Sequence, residues 1–220
     1  MPHSTSTTPT AAASTTTPAA AAPPMLVTPC TLEGRHVRLE PLELEHVDEL
    51  WEVAQAPELW RWTAAKLHSR EALRDYLAPA LADRERGVAL PFTTRDAATG
   101  RAIGSTRFGS ISTRDRRVEI GWTFVGLPWQ RTGVNTEAKY LMLRHAFETW
   151  GCVRVELKAG RLNERSRAAI RRIGGVEEGT LRRHMYSGDG SWRDTVYYSI
   201  LDDEWPAVKA RLEGMLAARG

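Results

Sequence analysis

A strand-like run, EIGWTFV (119–125), leads through a short link into QRTGVNT (130–136), and a helical pattern begins at once. A strand that turns directly into a helix commits the chain to an arrangement in which helices pack on a sheet. The turn also has a chemistry of its own. The first turn of a helix carries unpaired N–H groups and the positive end of the macrodipole, so an anion placed there gains hydrogen bonds without reorganisation. Gly133 lets the backbone approach a phosphate closely and adopt dihedrals that a β-carbon forbids. Arg131 adds charge, and Thr132 and Thr136 add hydroxyl donors. A plain strand–helix turn has the same outline, so the residues alone leave both readings open.

Other chemistries are harder to place. There is no G-x-x-x-x-G-K-[ST] loop and no G-x-G-x-x-G after a strand. The six histidines are scattered without an H-E-x-x-H pair, and no G-x-S-x-G elbow occurs, so neither a catalytic metal nor a serine hydrolase is expected. Cys30 and Cys152 are the only cysteines, too few for a disulfide framework or a cysteine-rich zinc site. No apolar run reaches the roughly 18 residues that span a bilayer. With 42% hydrophobic and 26% charged residues the composition is that of a soluble globular chain, and a cytoplasmic location is the expectation.

Residues 1–24 differ from the rest. They are Thr, Ala, Pro and Ser with no large apolar residue after Met1, so they are expected to form a disordered tail ahead of one domain over 25–220. The net charge is +3, with arginines concentrated between Arg161 and Arg193. Such a patch suits a polyphosphate or a nucleic acid, but a solvated helix face explains most of it, and direct nucleic-acid binding is not expected.

The periodicities predict the element order β-α-α-β-β-β-α-β-α-β-β-α, an α+β domain with one mixed sheet and helices on its faces. TLEGRHVRLEPL reads as a single first strand, and Ser69 opens the second helix. Leu143, Ala146, Phe147 and Trp150 share one face of the helix after the turn, which Gly151 ends. Val153, Val155 and Leu157 alternate along the next strand. Asn163 caps a helix stopped by Gly174 and Gly175, and a hairpin around GDG (188–190) precedes the last helix. Along VEIGWTF, Glu119, Gly121 and Thr123 face one side, and Val118, Ile120, Trp122 and Phe124 the other.

EIGWTFV, QRTGVNTEA, VELKAGRLNERS and AIRRIGGVEEGTLRRH, in that order, resemble the GNAT superfamily of acyl-CoA-dependent N-acetyltransferases. Within it they look most like the branch that acetylates the N-termini of ribosomal proteins. The resemblance covers residues 31 to about 205. It implies a largely antiparallel central sheet, helices on both faces, and a V-shaped slot for acetyl-CoA, used as a co-substrate with no metal. The pyrophosphate would lie on Gln130, Arg131, Thr132, Gly133, Val134, Asn135 and Thr136; Asn135 stands where the family usually has Gly or Ala. The pantetheine arm would pair with backbone around Trp122, Thr123, Phe124 and Val125, with Asn163 and Ser166 near the thioester.

The resemblance also bears on catalysis. Many relatives carry a tyrosine as general acid at the position of Ile170, so Ser166 is the candidate donor to the leaving thiolate. Glu119 and His184 are the candidate bases, since the branch's substrate-side glutamate is replaced by Met185. Trp60 and Trp62 sit where the family builds its acceptor wall, and packing beneath a loop would account for them equally. A lysine amine costs roughly 4 kcal/mol to deprotonate near pH 7.5 and an α-amine under about 0.5 kcal/mol. A site without an evident strong base therefore favours an α-amine, such as a protein N-terminus. Two further readings stay open: a small-molecule amine acetyltransferase, and an acyl-CoA-binding regulatory module without turnover. The chain is expected to work as a monomer or homodimer.

Overall fold

The computed structural model describes residues 24–187 and 190–218. The Thr/Ala/Pro/Ser segment up to Pro23, and Gly188 and Asp189 of the expected GDG turn, lie outside the described residues. Eight strands, β1 (Leu32–Glu33), β2 (Val37–Pro41), β3 (Leu90–Asp96), β4 (Ala102–Ser112), β5 (Arg117–Val125), β6 (Arg154–Gly160), β7 (Val176–Tyr186) and β8 (Trp192–Leu201), form one sheet. Its order is β1-β2-β3-β4-β5-β6-β8-β7. Neighbours run antiparallel except β5 and β6.

The expected order is borne out, with one division: the first strand breaks at Gly34 into β1 and β2. The helices are α1 (Val47–Ala54), α2 (Arg70–Glu85), α3 (Val134–Arg144), α4 (Glu164–Arg172) and α5 (Trp205–Ala217). Leu50, Leu73 and Leu77 pack α1 and α2 on one face, around Trp60 and Phe124. The larger core on the other face joins α3, α4 and α5 to Val118, Ile120, Val155 and Ile200. None of the described helices is long and apolar enough to cross a membrane.

The caps behave as their chemistry predicts. The Ser69 hydroxyl accepts from Ala72 N–H at 3.1 Å, and Asn163 Oδ1 accepts from Ser166 N–H at 3.1 Å. The helix after the turn is regular only to Arg144; a π turn, His145–Thr149, carries it to Gly151, whose φ of +59° stops it. Leu143, Ala146, Phe147 and Trp150 are buried as expected. Val153 is not: it lies before β6 begins and is 43% exposed.

Two features of β5 define the middle of the molecule. It pairs with β6 only through Arg117–Arg154, Val118–Val155 and Glu119–Glu156, after which the strands part. Against β4 it is bulged: between the pairs Ser105–Phe124 and Arg107–Gly121, Thr106 alone faces both Thr123 and Trp122, with Trp122 at φ +51°. The expected alternation therefore fails at this point. Val118 and Ile120 stay in the α3 core, but Phe124 falls into the α1–α2 core, and Trp122 stacks on Arg107.

Helix α3 runs beneath the parting and is buried even at polar positions. The Glu137 carboxylate accepts backbone N–H groups of Arg35 and Val37 at 2.9 Å each, and that of His36. Gly34 leaves the room it needs, since a β-carbon there would lie 2.5 Å from Glu137 Cδ. Lys139, 6% exposed, donates to Thr123 Oγ1 at 2.8 Å and Thr106 Oγ1 at 3.2 Å, under the bulge. Burial lowers its pKa to about 7.

Both residues give measurable consequences. Glu137→Ala strands three backbone donors, that of Val37 buried, and we expect a loss of about 2–3 kcal/mol in urea unfolding, with Glu137→Gln intermediate. Wild-type stability in the alanine variant would show that the carboxylate does not pin the turn. For Lys139 the folded pKa lies below the unfolded value, so between about pH 7 and ~10.4 the unfolded chain binds more protons and stability rises with pH. The rise amounts to about 4–5 kcal/mol over that window. Urea midpoints of wild type and Lys139→Met across pH 6–10 should diverge accordingly; parallel curves would refute the buried, desolvated ammonium.

Candidate active site

The parting of β5 from β6 opens a cleft of about 690 Å³. Its floor carries Leu157, Ala159 and Ile170, and one rim is β5 itself, through Trp122, Thr123, Phe124 and Val125. From the bulge onward β5 has no partner strand on its β6 side, so the backbone groups on that edge are left for a ligand or water.

At one end the cleft meets the N-terminus of α3. The helix ladder starts with Glu137 N–H to Gly133 carbonyl at 2.9 Å, and Val134 N–H is taken by the Thr132 hydroxyl at 3.3 Å. The N–H groups of Asn135 and Thr136 therefore belong to the open first turn. Gln130, Arg131, Thr132 and Asn135 line this end, joined by Arg165 and Arg172 from α4. Arg165 Nη1 holds Gln130 Oε1 at 2.9 Å, and Gln130 Nε2 in turn holds the Val125 carbonyl at 2.8 Å, tying the turn to the end of β5.

Some expectations about this turn need correcting. Gly133 has φ −69°, which any residue adopts; the left-handed residue is Arg131, at φ +63°. On its other side a β-carbon would lie 2.9 Å from His36 Cδ2, so the imidazole would have to shift to admit one. Gly133, Val134 and Thr136 do not line the cleft. Val134 is a core residue, and the Thr136 hydroxyl accepts from Arg172 at 3.0 Å. The Thr132 hydroxyl donates to the Trp129 carbonyl at 2.7 Å, so it braces the turn.

Near the β5–β6 fork stand Glu119 and Lys158. Glu119 is buried, and its Oε2 pairs with Lys158 Nζ at 2.8 Å. Among the described residues it is the one carboxylate lining the cleft. Asn163 and Ser166, at the start of α4, line the opposite rim, and Ser166 is half-buried. His184 is not brought to the cleft. Its ring packs edge-on to Tyr197 at 5.6 Å, and its Nδ1 is buried without a hydrogen bond. Met185 lines the cleft in its place, because β7 shifts register between Leu181 and Met185, where Arg183 takes φ +49°.

The far end is walled by Trp60, Trp62, Tyr76, Met185 and Arg193. Trp60 is 2% exposed, donates its indole N–H to the Ala54 carbonyl at 2.6 Å, and packs against Tyr76 and Phe124. It is thus both a packing anchor and part of the wall. Sequence reading missed Tyr76, Lys139, Lys158, Arg165, Arg172 and Arg193. Arg165 and Arg172 had a signal in the basic run, and Lys139 in its place one helical turn after Asn135. Cys152 is buried, and burial pushes its thiol up to about 11, so it supplies no nucleophile here.

No metal-binding group of three or more His, Cys, Asp or Glu residues occurs among the described residues. The arrangement suits a long, flexible anion: cations and open N–H groups at one end, and a strand edge with free backbone groups beside an apolar floor.

Comparison with known proteins agrees with this geometry. Residues 36–176 match the family model described as the acetyltransferase (GNAT) domain. A Bacillus subtilis (strain 168) protein, YdaF, provisionally named a ribosomal N-acetyltransferase, is 34% identical over 110 residues. That match covers 50% of this chain and 59% of YdaF, so it spans little more than half of the relative. A solved GCN5-related N-acetyltransferase from Brucella melitensis is 32% identical, with a TM-score of 0.79 over 86% of each chain. Mycobacterium smegmatis RimJ, solved in complex with CoA-disulfide, is 25% identical, with a TM-score of 0.71 over 83% of this chain and 90% of its own. With its splayed strands, its open helix terminus and a family match over more than half its length, the chain belongs to the GNAT family of N-acetyltransferases.

Proposed function

We propose that this protein transfers an acetyl group from acetyl-CoA to a primary amine, and that the amine is the α-amine of a protein N-terminus. The observation that carries the first part is the continuity of the cleft. It runs from the arginine-lined turn at α3, along the unpaired edge of β5, to an aromatic wall where a second substrate has room.

In this reading the pyrophosphate is held by the N–H group of Asn135 and by Arg131, Arg165 and Arg172. The pantetheine arm adds along β5 from Val125 toward the bulge at Trp122, using backbone groups as an added strand would. The acceptor amine then attacks the thioester carbonyl directly. The C–N bond forms, the C–S bond breaks, the nitrogen loses a proton, and the departing thiolate gains one. A backbone N–H at the bulge meets the developing oxyanion. Ser166 is the proton donor to sulfur, and Glu119, held by Lys158, receives the amine proton through water.

The preference for an α-amine follows from proton affinity. Near neutral pH an α-amine needs under about 0.5 kcal/mol to lose its proton, against roughly 4 kcal/mol for a lysine, and the cleft's one carboxylate is already paired. YdaF's name, which concerns ribosomal acetylation, supports a protein acceptor.

Asn135→Asp provides the test. A carboxylate in the first turn of α3 gains from the helix dipole but meets a desolvation cost, because Asn135 Oδ1 is buried without a partner, so a thermal melt of the variant accompanies the binding measurement. Calorimetry with acetyl-CoA should give binding by wild type and a drop of at least ~10-fold in the variant. Absence of binding by wild type would overturn the coenzyme reading, and unchanged affinity in Asn135→Asp would move the pyrophosphate elsewhere.

A further inference from the structure

We propose that the acceptor molecule carries a carboxylate a short distance from its reacting amine, and that Arg193 receives it. The inference rests on the acetyl-transfer reading above and adds the acceptor's chemistry to it.

Arg193 projects from β8 across the end of β6, where Gly160 leaves room; a β-carbon there would sit 3.1 Å from Arg193 Cδ. Its guanidinium lines the cleft, yet its partners are uncharged. Nη1 donates to the Trp62 carbonyl at 3.2 Å, and Nη2 to Met185 Sδ at 3.0 Å and Thr195 Oγ1 at 3.5 Å. Nε is buried with no partner. Among the described residues no carboxylate lies within ion-pair distance of Arg193. Several other half-buried arginines of this chain do meet carboxylates. Arg95 pairs with Glu40 and Glu49, Arg154 with Glu156 and Glu178, and Arg84 with Glu43.

Arg107 lies behind Trp122, outside the lining of the cleft, and is desolvated in a similar way. Arg107 stacks 3.7 Å from the centre of the Trp122 ring, with its Nε also buried and unpaired. Burial lowers the pKa of both arginines, and the field of Glu119 opposes that change in each. Glu119 itself is matched by Lys158. The cleft here thus holds one compensated ion pair and, in Arg193, a desolvated guanidinium whose charge is not neutralised at contact. A guanidinium keeps its proton, so relief comes from an anion, and a carboxylate can meet its donors in a charge-assisted pair. A polycationic acceptor finds the opposite: no spare carboxylate for its remaining ammonium groups.

Two sources offer this chemistry: an acidic side chain near a peptide N-terminus, or the α-carboxylate of a free amino acid. The test follows thiol release from acetyl-CoA with peptides that differ only in Asp, Asn or Lys at the second residue, and with a free amino acid beside its amide. Wild type should favour the carboxylate member of at least one set by roughly 10-fold or more in kcat/KM, mainly through KM. The set that shows it identifies the source. Arg193→Met should bring that ratio to about one, with Arg193→Lys between. Equal rates within every set, or a ratio that survives Arg193→Met, would overturn the proposal while leaving acetyl transfer intact. Thiol release from none of these amines, with acetyl-CoA still bound, would overturn both readings. Should Arg193→Met fail to fold, the wild-type ratios and the lysine variant decide.

Discussion

The molecule is organised by a failure of pairing. β5 and β6 share three residue pairs and then separate, although both remain paired on their outer sides, to β4 and β8. A sheet opened in the middle exposes two strand edges, and buried backbone groups without partners are costly. Here the opening is concave, so those groups face a cleft. The bulge at Trp122 contributes by bending β5 where it would otherwise continue beside β6. Lys139 sits beneath that bend and supplies donors to the hydroxyls of Thr106 and Thr123. A hydrophobic residue there would fill the same volume, but it would leave those two hydroxyls without their ammonium donor.

Placement of the turn before α3 depends on contacts far from it in sequence. Glu137 gathers three N–H groups of residues 35–37, which fixes the first turn of α3 against the edge of the sheet. His36, held in that segment, occupies the space beside Gly133. On the other side Gln130 joins Arg165 to the last carbonyl of β5. The turn is therefore clamped from three elements, β2, β5 and α4. Such a site presents its donors with little reorganisation, which is what makes a helix terminus useful to a phosphate.

Much of this was legible from local chemistry. Ser69 and Asn163 as caps, Gly151 as a stop, and the alternation of β6 follow from needs that a residue and its near neighbours satisfy among themselves. The bulge was not legible, because a bulge is a mismatch between two strands, and neither strand alone records it. Trp122 and Phe124 were consequently assigned to the wrong face. The same cause misplaced His184: an irregularity in β7 turns Met185 toward the cleft. The conformation of Gly133 was misread for a different reason: a glycine in a turn suggests an unusual dihedral, but φ here is −69°, and what a β-carbon would meet is the ring of His36, far earlier in the chain. Tyr76, Lys158 and Arg193 reach the cleft from α2, β6 and β8, so only the topology brings them together.

The net charge of +3 gives a poor picture of the electrostatics. On the outer surfaces positive and negative groups largely cancel in pairs: Arg161 with Asp194, Arg167 and Arg171 with Glu164 and Glu177, Lys209 with Glu148. Within the cleft the matching is different. Arg165 holds an amide oxygen and Arg193 a backbone carbonyl, and neither hydrogen bond cancels charge. What a ligand meets is set by which arginines are left with neutral partners, and these lie at both ends of one channel. A low-dielectric wall of tryptophans and aliphatic floor residues strengthens that field over its value in open water. The basic run between Arg161 and Arg193 is thus divided by the fold. Arg161, Arg167 and Arg171 pair with carboxylates outside, whereas Arg165 and Arg193 face inward, where their charge can act on a bound molecule.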